Sequence, residues 1–274
     1  MAGRRAGRSC PDQHRLGRTL TAPAGPPRYE PAAVGPYFDA LYATLAASAT
    51  HALIGREALG DAYVGQLGYA DQPELLRLAE VAGIGRGRRV LDIACGTGGV
   101  ARWYADRTGA RVTGIDCSGV GLRLGAAERR GGDSTALALA DVRALPFGDA
   151  TFDALVCLDG FGADFVTLAA ETRRLLRPGG GLAVLLSLDA GVAEQVVATL
   201  AEAGLDGCFA ESRNAEASVV MERWLAAYHR HERAHIAEVG ERYHRALVDE
   251  IAELLDGYAS GAVDRVLIGA HGPQ

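Results

Sequence analysis

The chain has 274 residues, of which 49% are hydrophobic and 23% charged, and its formal net charge is −6. This composition suffices for one large α/β domain, and no apolar run is long enough to cross a bilayer. An acidic chain disfavours a nucleic-acid partner, because contacts to phosphate need clustered positive charge. The five cysteines stand singly, and the arginine-rich start lacks the apolar segment of a secretory signal. We therefore expect a cytoplasmic protein with no disulfide framework and no nucleic-acid or membrane partner.

The first 30 residues are rich in glycine, proline and arginine and show little apolar periodicity. Such a composition predicts a disordered tail at residues 1–30. Its six arginines also fit an RNA-binding arm, but a solvated tail is the simpler interpretation. The remaining residues, 31–274, are predicted to form one domain.

Residues 31–80 are predicted to form a helical cap that precedes the main sheet. Apolar side chains recur there at helical spacing, at Phe38, Leu41, Tyr42 and Leu45. A glycine-containing joint interrupts the pattern from Gly60 to Asp71. Pro73 then suits the first turn of a further helix, with Asp71 as its N-cap.

Residues 81–210 alternate between apolar strands and amphipathic helices. The predicted strands are Arg89–Ala94, Arg111–Ile115, Ala136–Leu139, Ala154–Leu158 and Gly181–Ser187. The predicted helices are Gly98–Thr108, Ser118–Arg130, Phe165–Leu176 and Val192–Ala203, with a weak helix after the third strand. This alternation indicates a parallel sheet with helices on both faces.

The pattern changes after Gly204. A sixth strand is predicted at Leu205–Ala210, and a last strand at Val263–Ala270. Between them the chain is strongly helical from Val219 to Leu255, with an interruption near Gly240. Residues 211–262 are therefore predicted to be a helical lid inserted before the last strand, which occupies residues 263–274.

The stretch VLDIACGTGGVA, residues 90–101, predicts a buried strand, a glycine turn and a helix start. It also fits the dinucleotide pattern G-x-G-x-x-G/A, so a nicotinamide oxidoreductase is one alternative. Four strand ends carry an acid, at Asp92, Asp116, Asp141 and Asp159. Ligands of parallel sheets bind at these ends, and clustered carboxylates repel a pyrophosphate. S-adenosylmethionine suits the crevice better, because it carries a sulfonium and an ammonium but no phosphate.

Four motifs occur in order along these strands: VLDIACGTGG, VTGIDCS, ADVRALPFGDATFDALVCLDG and RLLRPGGGLAVL. Together they resemble the motifs of class I S-adenosylmethionine-dependent methyltransferases of the small-molecule, natural-product tailoring type, over roughly residues 75–205. The resemblance implies an α/β, Rossmann-like sheet of seven mostly parallel strands. It also implies that the last strand is antiparallel and lies beside strand six.

The resemblance further implies roles for individual residues. The methionine part of the cofactor is assigned to Asp92, Gly96 and Gly98, and the ribose to Asp116, and Ala94 is also placed at the cofactor. The adenine is assigned to Asp141, Val142 and Cys117, and the region of the sulfonium to Leu158 and Asp159. The joint that contains Tyr63, Gln66 and Tyr69 resembles the segment that closes over the cofactor, with Gln66 at the cofactor and the two tyrosines at the substrate.

The lid carries a predicted stripe of Trp224, Tyr228, His231 and His235, at i, i+4, i+7 and i+11 of one helix. The side chains of such a stripe face either the substrate pocket or the hydrophobic core. On the substrate interpretation His231 and His235 are candidate general bases, as is His51 in the cap. His229 and His244 fall on other faces and are predicted to be solvated.

Residues 231–235 also spell H-E-x-x-H, a pattern that binds zinc in metalloproteases. The helix around it is charged on both sides, and no third ligand stands at a suggestive spacing. We therefore predict no metal site.

The sequence thus predicts methyl transfer from S-adenosylmethionine to an oxygen, nitrogen or carbon of a small-molecule metabolite, in secondary-metabolite biosynthesis. One alternative is a protein of the same fold that binds the cofactor but catalyses a cyclisation or decarboxylation. Another is a binding protein gated by the cofactor. A homodimer is compatible with the sequence, which does not identify the acceptor.

Overall fold

The computed structural model describes residues 31–128, 134–160 and 164–274, so the predicted tail at residues 1–30 lies outside them. The strands are β1 Arg89–Ile93, β2 Arg111–Asp116, β3 Ala136–Leu139, β4 Phe152–Leu158, β5 Leu176–Asp189, β6 Asp206–Ser212 and β7 Val263–His271. The helices before β5 are α1 Pro31–Ala46, α2 Ala49–Leu59, α3 Gln72–Ala82, α4 Gly99–Thr108, α5 Gly119–Ala127 and α6 Phe165–Leu175. Those after it are α7 Val192–Glu202, α8 Asn214–Arg230, α9 Glu232–Val239 and α10 Glu241–Ser260.

The seven strands form one sheet in the order β3-β2-β1-β4-β5-β7-β6. Strands β1 to β5 pair in parallel, whereas β7 lies between β5 and β6 and is antiparallel to both. The predicted fold is therefore confirmed, including the position of the last strand beside strand six.

Alternate residues of the central strands face two separate apolar cores. Val90 of β1 packs with α3 and α4 on one face, while Leu91 packs with α6 and α7 on the other. A strand with both faces covered must be apolar at consecutive positions, which explains the continuous apolar runs. The sheet thus presents the carboxyl ends of its parallel strands at one edge, where side chains from several strands meet.

Two predicted elements differ from the structure. The weak helix expected after β3 is absent, because residues 140–151 form turns instead. The helical stretch of the lid is interrupted at Gly240, between α9 and α10, as predicted, but it is also broken at His231, between α8 and α9, which was not expected. Gly240 has a φ of 88°. Glycine adopts such a positive φ easily, whereas other residues are strained by it, so glycine suits the end of a helix.

The cap (residues 31–80) and the insertion (residues 211–262) pack against each other beside the sheet. Glu238 of α9 accepts hydrogen bonds from Ser48 Oγ at 2.6 Å, Thr50 N at 3.0 Å and Thr50 Oγ1 at 2.7 Å. These donors lie at the start of α2, where backbone amides lack helical partners. The insertion therefore helps to stabilise the first turn of α2.

In the parts of the chain that the structure describes, no helix combines the length and apolar character that a membrane span requires.

Candidate cofactor site

A cavity opens at the carboxyl ends of β1, β2 and β4, between the glycine turn and α1. It contains about 1030 Å³ of empty space, including its open mouth. The residues that the sequence assigned to the cofactor line it, apart from Gly98. They are Asp92, Ala94, Gly96, Asp116, Cys117, Asp141, Val142, Leu158, Asp159 and Gln66. The structure thus gathers at one place residues from three strands, from the turns after four strands and from the cap.

The glycine turn after β1 follows an unusual backbone path. Ala94, Gly96 and Gly98 have φ values of 59°, 58° and 71°, in the left-handed region. A Cβ on Gly96 would lie 2.1 Å from Tyr42 Oη, and one on Gly98 would lie 2.6 Å from Leu137 Cδ2. Gly96 therefore lets the turn approach the cavity, whereas Gly98 lets α4 start close to β3. A non-glycine residue such as Ala94 in this region is strained, which is common at binding sites.

Asp116, at the end of β2, holds the turn in place. Its Oδ2 accepts a hydrogen bond from Gly96 N at 2.8 Å, and its Oδ1 accepts one from Ser118 N at 2.7 Å. Burial raises the pKa of this carboxyl, although the backbone hydrogen bonds oppose the shift. A carboxylate oxygen can accept more than one hydrogen bond, so Asp116 can support the turn and still bind a ligand hydroxyl.

Asp92, on β1, is buried with its Oδ2 lacking a hydrogen-bond partner among the described residues. Burial raises the pKa of this carboxyl to about 8, and the charge of Asp116 adds to the shift. A buried acceptor without a partner is costly, so its presence on the cavity wall indicates a ligand donor. A cationic ammonium group satisfies it in both charge and hydrogen bonding.

The predicted negative crevice needs correction at two of its four acids. Asp159 is bonded to both terminal nitrogens of Arg265, a buried residue of β7. Asp141 is bonded to Arg143, which lowers the pKa of that carboxyl. Asp92 and Asp116 are therefore the two strand-end acids that have no arginine partner among the described residues.

The joint of the cap closes one side of the cavity. Gln66 Oε1 accepts a hydrogen bond from Val64 N at 2.7 Å, and Gln66 Nε2 donates to Ala62 O at 2.9 Å. Tyr69 N donates to Asp159 Oδ2 at 3.0 Å, which fixes the joint to the end of β4. Gln66 thus shapes the joint through both ends of its amide, and the joint shields the cavity.

Helix α1 supplies a wall that the sequence reasoning missed as part of the site. Val34, Phe38 and Tyr42 line the cavity. Their spacing of four residues places them on one face of a helix, and this signal was available in the sequence. Asp39 of the same helix accepts hydrogen bonds from Ser118 Oγ at 2.7 Å and Val120 N at 2.8 Å, which anchors α1 to α5.

The four residues predicted to bind the substrate do not line this cavity. Tyr69, Trp224 and Tyr228 are buried where the cap meets the insertion. Trp224 stacks on Tyr228 with 5.8 Å between ring centroids and meets Tyr69 edge-on at 5.7 Å. Tyr63 lines a separate groove beside α2 and α4. The aromatic stripe therefore contributes to the core between two helical layers.

The predicted catalytic histidines also lie away from the cavity. His51 Nδ1 is 3.1 Å from Tyr228 Oη, and burial lowers the pKa of His51 to about 3. His235 Nδ1 is 3.1 Å from His244 Nδ1, and burial lowers the pKa of His235 to about 4. His231 Nε2 is 2.8 Å from Glu57 Oε1, outside this cluster.

Two expectations about these histidines are wrong. His231 does not share a stripe with Trp224 and Tyr228, because α8 ends at Arg230 and a new helix begins after it. His244 is not solvated but is 5% exposed and faces His235. The two histidines of the H-E-x-x-H pattern have different partners, since His231 contacts Glu57 whereas His235 contacts His244. Within the described ranges, no group of His, Cys, Asp and Glu residues is arranged to hold a metal ion.

Comparison with known proteins shows what the chain is similar to. Residues 90–180 match the model of a methyltransferase domain. The chain is 32% identical to "Methyltransferase GfsG" of Streptomyces halstedii over 131 residues, which are 46% of this chain and 47% of that protein. The matched segments thus span about half or less of the curated relatives.

Solved structures share the fold at low identity. The cyclopropane synthase MmaA2 of Mycobacterium tuberculosis has a TM-score of 0.69 and 15% identity, covering 87% of this chain and 99% of that one. The [4+2]-cyclase SpnF has a TM-score of 0.68 and 20% identity, covering 86% and 96%. The matched domain indicates a methyltransferase, and the four motifs and the seven-stranded sheet with its antiparallel β7 agree with it. Residues 90–180 are thus similar to the methyltransferase domain of class I S-adenosylmethionine-dependent methyltransferases.

Proposed function

We propose that the protein transfers a methyl group from S-adenosylmethionine to an oxygen, nitrogen or carbon of a small-molecule metabolite. The observation that carries this proposal is the cavity at the strand ends, where the glycine turn meets two buried carboxyls. Asp92 supplies an acceptor without a partner, and Asp116 supplies a carboxylate held by two backbone amides. Both suit a cofactor that bears an ammonium group and ribose hydroxyls.

In this proposal each part of the cavity holds one part of the cofactor. Asp92, with Ala94 and Gly96 of the turn, holds the methionine part, and Asp116 accepts the ribose hydroxyls. Asp141, Val142 and Cys117 surround the adenine. Leu158 and Asp159 lie at the sulfonium, and Gln66 keeps the joint closed over it.

The cofactor supplies the electrophilic methyl group, and the chain's own contribution is to orient and enclose it. Displacement at a methyl carbon needs the acceptor atom in line with the breaking bond, so positioning provides much of the rate enhancement. We assign acceptor recognition to the cap, which lines the cavity, and to the insertion that packs against the cap. A general base is needed only for an acceptor that must lose a proton, and the buried histidine cluster is not assigned that role.

The acidic net charge supports a metabolite rather than a nucleic acid as the acceptor. A role in secondary metabolism is the narrowest part of the proposal. It is supported by the similarity over 131 residues to a Streptomyces methyltransferase. It is also supported by an alanine-, glycine- and arginine-rich composition, which is typical of GC-rich genomes.

The test is calorimetric titration of the protein with S-adenosylmethionine, S-adenosylhomocysteine and, as a control, NAD. We expect both adenosyl ligands to bind, NAD not to bind, and Asp116→Ala to lose the adenosyl ligands. Binding of NAD alone would overturn the proposal and favour an oxidoreductase.

A second experiment separates methyl transfer from other chemistry on the same fold. The protein is incubated with candidate metabolites and S-adenosylmethionine labelled in its methyl group. We expect label in the product and one S-adenosylhomocysteine formed per methyl transferred. A product formed without label would instead support a cyclisation or decarboxylation.

A further inference from the structure

Arg265 is a fully buried cation that no role described so far uses. It lies on β7, opposite Ser187 of β5, and is 1% exposed. Its two terminal nitrogens contact Asp159 Oδ1 and Oδ2, the second at 3.2 Å. Its Nε lies 3.6 Å from Glu74 Oε1, which is also buried. A buried charge is retained only when it is paired, so this arrangement needs a reason.

Asp159 and Arg265 differ in their position relative to the cavity. Asp159 lines the cavity, whereas Arg265 does not. Asp159 also has a φ of 48°, and its amide donates to Leu185 O at 2.8 Å. The carboxylate is therefore held at a fixed place by a strained backbone, a strand-end hydrogen bond and Arg265.

Burial alone would lower the pKa of the Arg265 guanidinium, but Asp159 and Glu74 raise it, so the guanidinium stays charged. Arg265 thus offsets the negative charge of Asp159. The sulfonium end of the cavity is formed by a carboxylate whose charge is neutralised from behind.

This neutrality matters for methyl transfer. A sulfonium is positive before the transfer, and the thioether that leaves is neutral. A carboxylate without a partner beside it would stabilise the charged reactant more than the transition state, and such ground-state stabilisation does not accelerate the reaction. It would also make the protein prefer the sulfonium form over the thioether form.

We propose that Arg265 is a positioning residue that sets the charge of the cavity wall at Asp159, and so determines how the site discriminates between the sulfonium and thioether forms of the cofactor. This inference rests on the proposed function, because it assigns the sulfonium to Asp159. Arg265 lies on β7, outside the matched methyltransferase domain, whereas Asp159 lies within it.

The test measures the dissociation constants of S-adenosylmethionine and S-adenosylhomocysteine by calorimetry and compares their ratio among variants. In Arg265→Met, Asp159 loses its partner, and we expect the ratio to shift towards S-adenosylmethionine by about tenfold. In Asp159→Asn, Arg265 keeps only Glu74, and we expect a shift of several-fold in the opposite direction. The double variant Asp159→Asn/Arg265→Met is expected to return near the wild-type ratio.

Two controls separate this effect from loss of structure. Arg77→Met removes an arginine that pairs with Glu211 and Glu80 on the protein surface, and we expect the ratio not to change. Asp159→Asn conserves the shape of the side chain, so it remains informative if Arg265→Met does not fold. Equal weakening of both ligands, or shifts of the same sign in the two single variants, would show that the pair is only structural.

Failure of the proposed function gives a different result. If the wild-type protein binds neither ligand, both the proposed function and this inference are overturned. If it binds both ligands and the ratio does not move in the variants, only this inference is overturned.

Discussion

Asp116 on β2 accepts a hydrogen bond from the amide of Gly96 at 2.8 Å, which ties the end of one strand to the turn after its neighbour. The same carboxylate accepts from the amide of Ser118 at 2.7 Å. One side chain therefore shapes the glycine turn and faces the cavity that the turn helps to form.

We expect Asp116→Ala to weaken S-adenosylhomocysteine binding by at least about 100-fold, because hydrogen bonds to charged groups contribute about 1.5–3 kcal/mol each. The measurement is calorimetry on folded protein, with circular dichroism as the check on folding. Asp153→Ala is the matched control, since Asp153 accepts from the amide of Arg89 at 2.8 Å at the opposite end of β1. The prediction is wrong if Asp153→Ala weakens binding as much as Asp116→Ala.

A second prediction concerns the backbone of the turn. Gly96→Ala places a Cβ 2.1 Å from Tyr42 Oη at a φ of 58°, so we expect the turn and α1 to move apart and cofactor affinity to fall about tenfold or more. Gly87→Ala is the control, because Gly87 has a φ of 77° but no atom within 4 Å of its added Cβ. It should lower the unfolding free energy by about 1 kcal/mol and leave affinity unchanged.

The clash can be tested directly with a double variant. Gly96→Ala/Tyr42→Phe removes the hydroxyl oxygen nearest the added Cβ, and we expect part of the lost affinity to return. If Tyr42→Phe gives no recovery, the loss comes from backbone strain rather than from contact with α1.

A third prediction concerns the pH dependence that Asp92 confers. Its pKa is raised to about 8 in the folded protein, by burial and then by Asp116, whereas an unfolded aspartate titrates near its model value of 3.8. The folded state therefore binds an extra proton between these pH values, and its stability falls as pH rises through this window. Asp92→Asn should be more stable than wild type at pH 8, by several kcal/mol, with little difference at pH 4.

The same variant should lose ligand affinity. The ionised Asp92 is the acceptor proposed for the ligand ammonium, so wild-type affinity should rise between pH 6 and pH 8 and that of Asp92→Asn should not. Urea unfolding without ligand and calorimetry with S-adenosylhomocysteine provide the two measurements. A variant that is less stable than wild type at pH 8 would contradict the assignment of a costly buried charge.

A fourth prediction concerns the stability of the protein at acidic pH. Burial, and then the charge of His235, lower the pKa of His51 to about 3 in the folded protein, while the unfolded histidine titrates near 6.5. Only the unfolded state is protonated between these values, so stability falls as pH drops from 6.5 towards 3. We expect a loss of about 2 kcal/mol between pH 6.5 and pH 4.5, to which His235 contributes.

His51→Gln should reduce this slope, because glutamine keeps a polar contact for Tyr228 but does not titrate in this range. The measurement is the free energy of unfolding in urea at several pH values. His229→Gln, which removes an exposed histidine of α8, controls for the loss of a histidine as such. An unchanged slope in His51→Gln would place the acid sensitivity elsewhere.

The sheet could be predicted because its signals are local. Apolar runs such as Val90–Ile93 mark strands that are covered on both faces, and the glycines after them mark the turns. The four motifs then set the strand order by resemblance, which periodicity alone does not provide. Most of the residues predicted to bind the cofactor line one cavity because they stand at or just after the ends of these strands.

The helical layers were harder to predict, since their side chains depend on contacts distant in the chain. Because the helix is interrupted at His231, the residues after it face other directions than they would in one continuous helix. The sequence therefore predicts a solvated His244, although this side chain packs on His235. Arg265 sits in an apolar strand and pairs with Asp159, 106 residues earlier. No pattern in the sequence indicates that contact, because it depends on where β7 enters the sheet.

The attachment of Glu238 to Ser48 and Thr50 has a consequence for protein engineering. Because the insertion caps the first turn of α2, the two segments that cover the sheet depend on each other although 190 residues separate Ser48 from Glu238. A chimera that exchanges only residues 211–262 with a relative breaks these hydrogen bonds and leaves α2 without its partner. Under the proposed function, acceptor specificity is therefore expected to transfer only when both segments are exchanged together.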